Sequence, residues 1–332
     1  MKGYVEQSMK YPLRLICYTI LILTALPSFL SGCGAAQDND KVLRIALITP
    51  YIHSQYWAQA REGAEIMAER LGNVEVAYFG PDEAPTVVEQ IRILEDCVYV
   101  GYDGIILAAS NKDALIEPIK RVKDAGIPVV MIDTGVSEPV YDALLATDNE
   151  LAGEICAKMM AQLIGGEGDI AIINFSDSTL AAMKREYGFV REIAENWPDI
   201  RVVGVEYCNF DLDKATKQTE NFIHSFPGIK GIWGANAVAV SGVIEGVAAC
   251  GAQNVVSVIG FDYFPELRQC LESGTVEVAV VQNPKAMGEE GLQMLVDIIH
   301  GNHPINRNID IAVTVVTKDN MNNEDIQSVL GW

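Results

Sequence analysis

The chain has 332 residues, of which 49% are hydrophobic and 21% charged, an ordinary balance for globular domains. This length predicts two domains, each large enough to bury its own core. The formal net charge is −21. A chain this acidic repels phosphate backbones and anionic membranes at long range, so we expect no nucleic-acid partner.

An apolar segment near the N-terminus predicts a secretion signal. Lys2, Lys10 and Arg14 precede the apolar run 15–30, which is interrupted by Pro27. A membrane-spanning helix needs about 20 continuous apolar residues, more than this run offers. A basic start followed by a short apolar run is instead typical of a signal peptide.

The residues after this run resemble the lipobox of bacterial lipoproteins, in which the chain is cut before a cysteine whose thiol is lipidated. Ser31 and Gly32 are small enough for a protease cleft, and Cys33 follows them. We predict a signal peptide over 1–32, lipidation at Cys33 and a polar tether over 33–40. The protein is then extracytoplasmic and lipid-anchored to the bacterial cell membrane. The alternative is an uncleaved helix with a chance cysteine.

Five of the seven cysteines lie in the body of the chain, without any Cys-x-x-Cys pair. An odd number without paired spacing does not fit a disulfide framework. We expect buried free thiols, with a single disulfide as the alternative. The four histidines are not clustered, so no metal site is predicted. The five body cysteines are Cys97, Cys156, Cys208, Cys250 and Cys270.

From residue 42 onward, runs typical of strands and helices alternate. The first section predicts strands at 42–49, 74–79, 104–108, 128–132 and 143–146, and helices at 55–71, 85–98 and 115–125. The second section predicts helices at 151–164, 180–196, 213–225, 238–250, 265–271 and 285–300, and strands at 169–174, 200–207, 231–234, 255–260, 276–281 and 309–316. Such alternation predicts parallel sheets covered on both faces. The fold class is therefore α/β, with two doubly wound parallel-sheet lobes.

Polar and aromatic side chains follow nearly every predicted strand. Open parallel sheets bind ligands at the carboxyl ends of their strands, so two facing lobes would form a cleft there. Carboxylates and amides suit sugar hydroxyls, and aromatic faces cover the apolar side of a sugar ring. The residues in question include Tyr56, Trp57, Asp133, Asn236, Asp262 and Gln282.

Asx residues at these positions could instead cap helices. We favour capping or turns for Asp177, Asp213 and Asn149, and ligand contact for Asp133 and Asp262. Tyr56 and Trp57 could also belong to the core, but two adjacent large aromatics just past a strand favour the cleft.

From residue 42 to about 318, the chain resembles the ribose-type sugar-binding proteins of bacterial ABC transporters, with the type I periplasmic-binding-protein fold. The segments that carry the resemblance are SQYW (54–57), VVMID (129–133), ATDN (146–149), NFD (209–211), IWGAN (232–236), VIGFD (258–262) and VVQNP (280–284). The resemblance implies stacking by Tyr56, Trp57 and Phe210, and hydroxyl binding by Asp133, Asn236, Asp262 and Gln282. The ligand-binding residues that we predict are Ser54, Tyr56, Trp57, Asp133, Thr134, Met183, Phe210, Asn236, Asp262 and Gln282.

This chain departs from the family pattern at three positions. Thr134 stands where the family usually has an arginine, Met183 aligns with a second arginine, and Ala237 replaces an acidic residue. Arg185 follows Met183 closely, but a helix turns about 100° per residue, so it need not face the cleft. The ligand could be ribose-like, another pentose, a hexose, a polyol or a less polar molecule.

The resemblance also implies three crossings between the lobes, near residues 147, 282 and 311. Lobe one would hold 41–147 and 283–311, and lobe two 148–282 and 312–332. Closure of this three-segment hinge around a small sugar or polyol would present a monomeric receptor to an ABC permease.

Three other functions are considered. A ligand sensor that serves a chemoreceptor or histidine kinase would have the same cleft. A transcription regulator needs a basic DNA-binding segment, and a lipobox stands there instead. An enzyme could use Asp133 and Asp262 as an acid–base pair, but no hydrolase, P-loop, metalloprotease or dinucleotide motif occurs. We therefore expect a binding protein without a cofactor.

Overall fold

The computed structural model describes residues 41–82 and 86–330. The predicted signal peptide, the lipidation site Cys33 and the tether lie outside the described residues. Within the described part, no helix is both long and apolar enough to cross a membrane.

Strands and helices alternate over the whole described chain. The strands are β1 Leu43–Ile48, β2 Val74–Phe79, β3 Gly104–Leu107, β4 Val129–Ile132, β5 Ala143–Ala146, β6 Gly168–Asn174, β7 Ile200–Tyr207, β8 Ile229–Gly234, β9 Ser257–Phe261, β10 Val278–Val281, β11 Asn308–Asp310 and β12 Thr314–Thr317. The helices are α1 Gln55–Leu71, α2 Val87–Val100, α3 Ile116–Asp124, α4 Asn149–Leu163, α5 Leu180–Asn196, α6 Leu212–Ser225, α7 Ala237–Ala249, α8 Leu267–Ser273, α9 Pro284–Ile299 and α10 Glu324–Leu330.

The first sheet has six parallel strands in the order β11-β5-β4-β3-β1-β2. All residues of β3 and β4 are buried, because helices cover both faces of the sheet. Two hydrophobic clusters lie on its opposite faces. Helix α9 packs on this sheet and on α1, although it follows β10 of the second sheet in sequence.

The second sheet has the order β12-β10-β9-β8-β6-β7, with its own hydrophobic cluster. Strand β12 pairs antiparallel with β10, while the other pairs are parallel. These two sheets with their helices confirm the predicted fold class. The exact lobe boundaries and the hinge remain predictions.

The predicted strand 309–316 is wrong as a single element. Residues 308–310 pair with β5 of the first sheet, while residues 314–317 pair with β10 of the second. The connection between them passes from one sheet to the other. The sequence analysis also missed α10, so 285–300 is not the last helix.

Helices α4 and α5 cross closely because each has a glycine at the contact. A Cβ on Gly153 would lie 2.0 Å from the carbonyl oxygen of Arg185, and one on Gly188 would lie 2.0 Å from that of Glu150. Only glycine allows this separation. The crossing places the start of α4 beside the side chain of Arg185.

The five body cysteines are unpaired, and four of them are buried. The structure therefore agrees with the expectation of free thiols and contains no disulfide among the described residues. Burial raises the pKa of Cys97 to about 12, because the thiolate would lose its hydration.

Candidate functional site

A cavity of about 540 Å³ lies between the carboxyl ends of the strands of the two sheets. This volume is within the range of small-molecule sites. Nine of the ten predicted site residues line it, and Met183 does not. The nine are Ser54, Tyr56, Trp57, Asp133, Thr134, Phe210, Asn236, Asp262 and Gln282.

Asp133 directly follows β4 on the first-sheet side of the cleft. Its φ is 62°, in the left-handed region that Asp tolerates better than most residues, so the chain turns sharply as the strand ends. Its side chain is 8% exposed. The hydroxyl of Tyr56 donates to Asp133 Oδ1 at 2.5 Å, which leaves the second carboxylate oxygen for another donor.

Asp262 occupies the equivalent place on the second-sheet side, directly after β9. Its φ is 69°, so the two carboxylates are presented by the same local backbone geometry. Gln282 donates through Nε2 to Asp262 Oδ1 at 2.7 Å. This bond orients the amide, and Gln282 Oε1 is left buried without a partner among the residues that the structure describes.

Arg185 is a cleft residue that the sequence analysis did not assign. It is 2% exposed, and its Nε donates to Asn149 Oδ1 at 2.7 Å while Nη1 donates to the carbonyl oxygen of Ala235 at 2.9 Å. Its guanidinium carbon lies 3.8 Å from the ring centroid of Phe261. Arg185 therefore connects the start of α4 with the ends of β8 and β9.

The prediction of Met183 as a site residue is wrong in its placement. Met183 is 42% exposed and lies outside the cavity lining. Arg185 is two residues further, about 200° around the helix, and therefore faces the opposite way. Relative to the family pattern, the cleft therefore lacks one guanidinium, the one that Thr134 replaces, and not two. The buried positions of α5 give the missed signal, since Arg185 shares a helical face with Ala181, Ala182, Gly188 and Phe189.

The sequence analysis favoured a cap or a turn for Asn149, and the structure gives the cap of α4 to its neighbour. Asp148 caps α4, accepting from the backbone N–H of Leu151 at 3.1 Å. Asn149 is 4% exposed, and its Nδ2 donates to the carbonyl oxygen of Thr147 at 2.9 Å. One amide therefore links the segment before α4 to Arg185.

Two carboxylates and one guanidinium dominate the electrostatics of the cleft. Burial raises the pKa of Asp133 to about 6, and the positive charge of Arg185 and the Tyr56 hydrogen bond oppose that rise. Burial raises the pKa of Asp262 as well, again opposed by Arg185. Burial and the neighbouring charge of Asp133 raise the pKa of Tyr56, so its hydroxyl stays protonated and donates.

Aromatic rings line both sides of the cleft. The rings of Tyr56 and Trp57 meet edge to face at 4.8 Å between centroids, and Trp57 also packs against the core of the first sheet. On the other side, Phe175 lies 5.4 Å from Phe210. The sequence analysis missed Phe175, which directly follows β6.

Asn236 lines the cleft and also caps a helix. Its Oδ1 accepts from the backbone N–H of Ala239 at 2.8 Å, which fixes the amide and makes Nδ2 the group available to a ligand. Thr134 and Thr179 line the same cavity, and the hydroxyl of each is buried without a partner in the described part of the chain. These two hydroxyls are therefore free to form a hydrogen bond with a ligand in the cleft.

Comparison with known proteins places this architecture in a family. A family model described as a periplasmic binding protein domain matches residues 45–303. The D-allose-binding periplasmic protein of Escherichia coli (strain K12) is 28% identical over 260 residues, which cover 76% of this chain and 83% of that protein. The D-ribose/D-allose-binding protein of Pseudomonas aeruginosa is 23% identical over 303 residues, covering 89% and 94%.

Solved structures agree with this result. An ABC transporter solute-binding protein from Agrobacterium vitis with bound D-fucose has a TM-score of 0.82 and 32% identity, covering 86% of this chain and 99% of that chain. A carbohydrate transporter solute-binding protein from Agrobacterium radiobacter in complex with D-arabinose has a TM-score of 0.83 and 28% identity, covering 87% and 98%. The resemblance drawn from the sequence is therefore confirmed, and the chain belongs to the periplasmic binding protein family.

Proposed function

We propose that this protein is an extracytoplasmic substrate-binding lipoprotein of an ABC importer that captures a small sugar in the cleft. The observation that carries the proposal is the pair Asp133 and Asp262, which directly follow strands of different sheets, line one cavity and both feel the positive charge of Arg185. The relatives are named as sugar-binding proteins, and the solved neighbours contain D-fucose and D-arabinose.

The chemistry of the cleft suits a neutral polyhydroxylated ligand. The free oxygens of the two carboxylates and Gln282 Oε1 accept hydrogen bonds, while Asn236 Nδ2 can donate one. Charge-assisted hydrogen bonds contribute about 1.5–3 kcal/mol each, more than neutral ones. The rings of Trp57 and Phe210 supply apolar surface for the C–H faces of a sugar.

Capture would proceed by hinge closure. A ligand that touches both carboxylates has its full set of contacts only when the lobes are together, so binding shifts the population toward the closed state. The closed protein would then dock on a permease as a monomer held near the membrane by lipid at Cys33. The lipobox supports the anchor, and the transporter names of the structural neighbours support the permease.

A thermal-shift panel tests this proposal. The protein is heated with D-fucose, D-arabinose, D-allose, D-ribose and D-tagatose, and with amino acids as an unrelated class. A sugar at 100 times its Kd should stabilise the fold by about 2.7 kcal/mol. Stabilisation by one of the sugars, lost in Asp262→Asn, is the expected result. Stabilisation by amino acids alone would overturn the sugar assignment.

A further inference from the structure

Thr179 stands at the N-terminal end of α5 without acting as its cap. Its backbone is extended there, with φ −102° and ψ 141°, and its side chain makes no capping hydrogen bond. In the described part of the chain, the Asx residues at the starts of α4, α6, α7 and α9 all accept from a backbone N–H of the following helix. Thr179 is 5% exposed and lines the cleft, and among residues 41–82 and 86–330 its hydroxyl has no hydrogen-bond partner.

The helix end beside this hydroxyl presents further donors. The first backbone N–H groups of any helix have no partner within it, and those of α5 belong to Leu180, Ala181 and Ala182. Ala181 lines the same cavity as Thr179. The partial positive charge of a helix N-terminus favours an electron-rich atom nearby. The unpartnered hydroxyl and the helix end therefore point to the same kind of ligand atom.

Asn236 Nδ2 and the guanidinium of Arg185 can donate to a ligand elsewhere in the cleft, but the side of the two carboxylates leaves this role open. Asp133 and Asp262 accept hydrogen bonds, and Gln282 can only accept through its free Oε1. These groups satisfy the hydroxyl hydrogens of a sugar but not its lone pairs. The start of α5 is also held against the first lobe, because the backbone N–H of Lys112 donates to the carbonyl oxygen of Ser178 at 3.1 Å.

We propose that the N-terminal end of α5, together with the Thr179 hydroxyl, is a ligand subsite that binds an acceptor oxygen of the captured sugar. That oxygen is a hydroxyl, ring or carbonyl oxygen of the ligand. The inference rests on the proposed function and adds a second kind of hydrogen bond to it. The sugar donates to the carboxylates and accepts from the start of α5.

The test compares Thr179→Val with Thr179→Ser in the full chain, by calorimetric titration with D-fucose, D-arabinose, D-allose and D-ribose. Valine has nearly the same shape without the hydroxyl, and we expect it to raise the Kd of the sugar that binds about three- to tenfold. Serine keeps the hydroxyl and should stay within about twofold. The unliganded Thr179→Val protein should melt at the same or a higher temperature, because an unpartnered buried hydroxyl is gone.

Thr86→Val is the matched control. Thr86 also occupies the N-cap position of a helix without a capping hydrogen bond, but it is exposed and lies outside the cleft lining. Its substitution should leave the Kd unchanged. An unchanged Kd in Thr179→Val would overturn the subsite. The subsite would also be overturned if Thr179→Val melted at a lower temperature and Thr179→Ser lost as much affinity as Thr179→Val. Failure of all four sugars to bind the wild-type protein would overturn the proposed function itself.

Discussion

The buried carboxylate of Asp133 carries a stability cost that its role in binding explains. Its pKa in the folded protein is about 6, against an ordinary value of 3.8, so the folded state favours the protonated form. The stabilising contribution of this group is complete below about pH 4 and is lost as the pH rises through 6. The unliganded protein therefore carries an unfavourable charge at neutral pH.

Asp133→Asn should separate stability from binding. Asparagine tolerates the left-handed backbone at this position, so the turn is kept. The unliganded variant should have a higher free energy of unfolding than wild type at pH 7, by of order 1–3 kcal/mol, and the difference should vanish below pH 4. Its affinity for sugar should fall about tenfold or more, since a charge-assisted bond is lost. Urea denaturation at several pH values measures the first effect; a less stable variant at pH 7 would contradict this account.

Asn149 should affect binding through Arg185. Asn149→Leu removes the acceptor at 2.7 Å from Arg185 Nε, so the guanidinium is held less firmly in the cleft. We expect the Kd for sugar to rise about three- to tenfold, and no further rise when the same change is made in an Arg185→Met background. Calorimetric titration of the wild-type protein, the two single variants and the double variant forms a double-mutant cycle that measures this coupling.

Gln218→Leu is the control for this cycle. Gln218 also lies in the second sheet's lobe and donates to a backbone carbonyl, that of Tyr207, but it is outside the cleft lining. The Gln218→Leu variant should be less stable than wild type but should bind the sugar with the same affinity. Additive effects of Asn149→Leu and Arg185→Met would show that Asn149 does not act through Arg185.

At the scale of single elements, the crossing of α4 and α5 decides where Arg185 lies. Gly188→Ala would place a methyl carbon 2.0 Å from the carbonyl oxygen of Glu150. The helices must separate, at a cost of about 2–3 kcal/mol that exceeds the gain of up to about 1 kcal/mol in helix propensity. Gly228→Ala is the control, because nothing lies within 4 Å of its added carbon. Equal stability of the two variants in urea denaturation would contradict the packing argument.

Sequence periodicity predicted most elements because buried parallel strands and amphipathic helices have distinct patterns. It also predicted Asp133 and Asp262, since the carboxyl ends of parallel strands meet at one edge of a sheet. It failed at Arg185, because the rotation of α5 about its axis depends on the glycine contact with α4. It failed again at 309–316, where a run rich in β-branched residues changes sheets and only long-range pairing shows the break.

At the scale of the whole molecule, the two sheets have separate cores and meet at the cleft. Groups from both sides interact there: the charges of Asp133 and Arg185, and the backbone hydrogen bond from Lys112 to Ser178. A sugar between the carboxylates would add contacts to both lobes at once. Binding should therefore change the separation of the lobes.

Small-angle X-ray scattering, with and without a saturating amount of the sugar identified by thermal shift, measures whether the lobes close on the ligand. Sugar should reduce the radius of gyration of the wild-type protein, because it shifts the population toward the closed state. The same sugar concentration should leave Asp262→Asn unchanged, since that variant binds weakly. An unchanged radius of gyration in wild-type protein that calorimetry shows to be saturated would contradict capture by closure of the cleft.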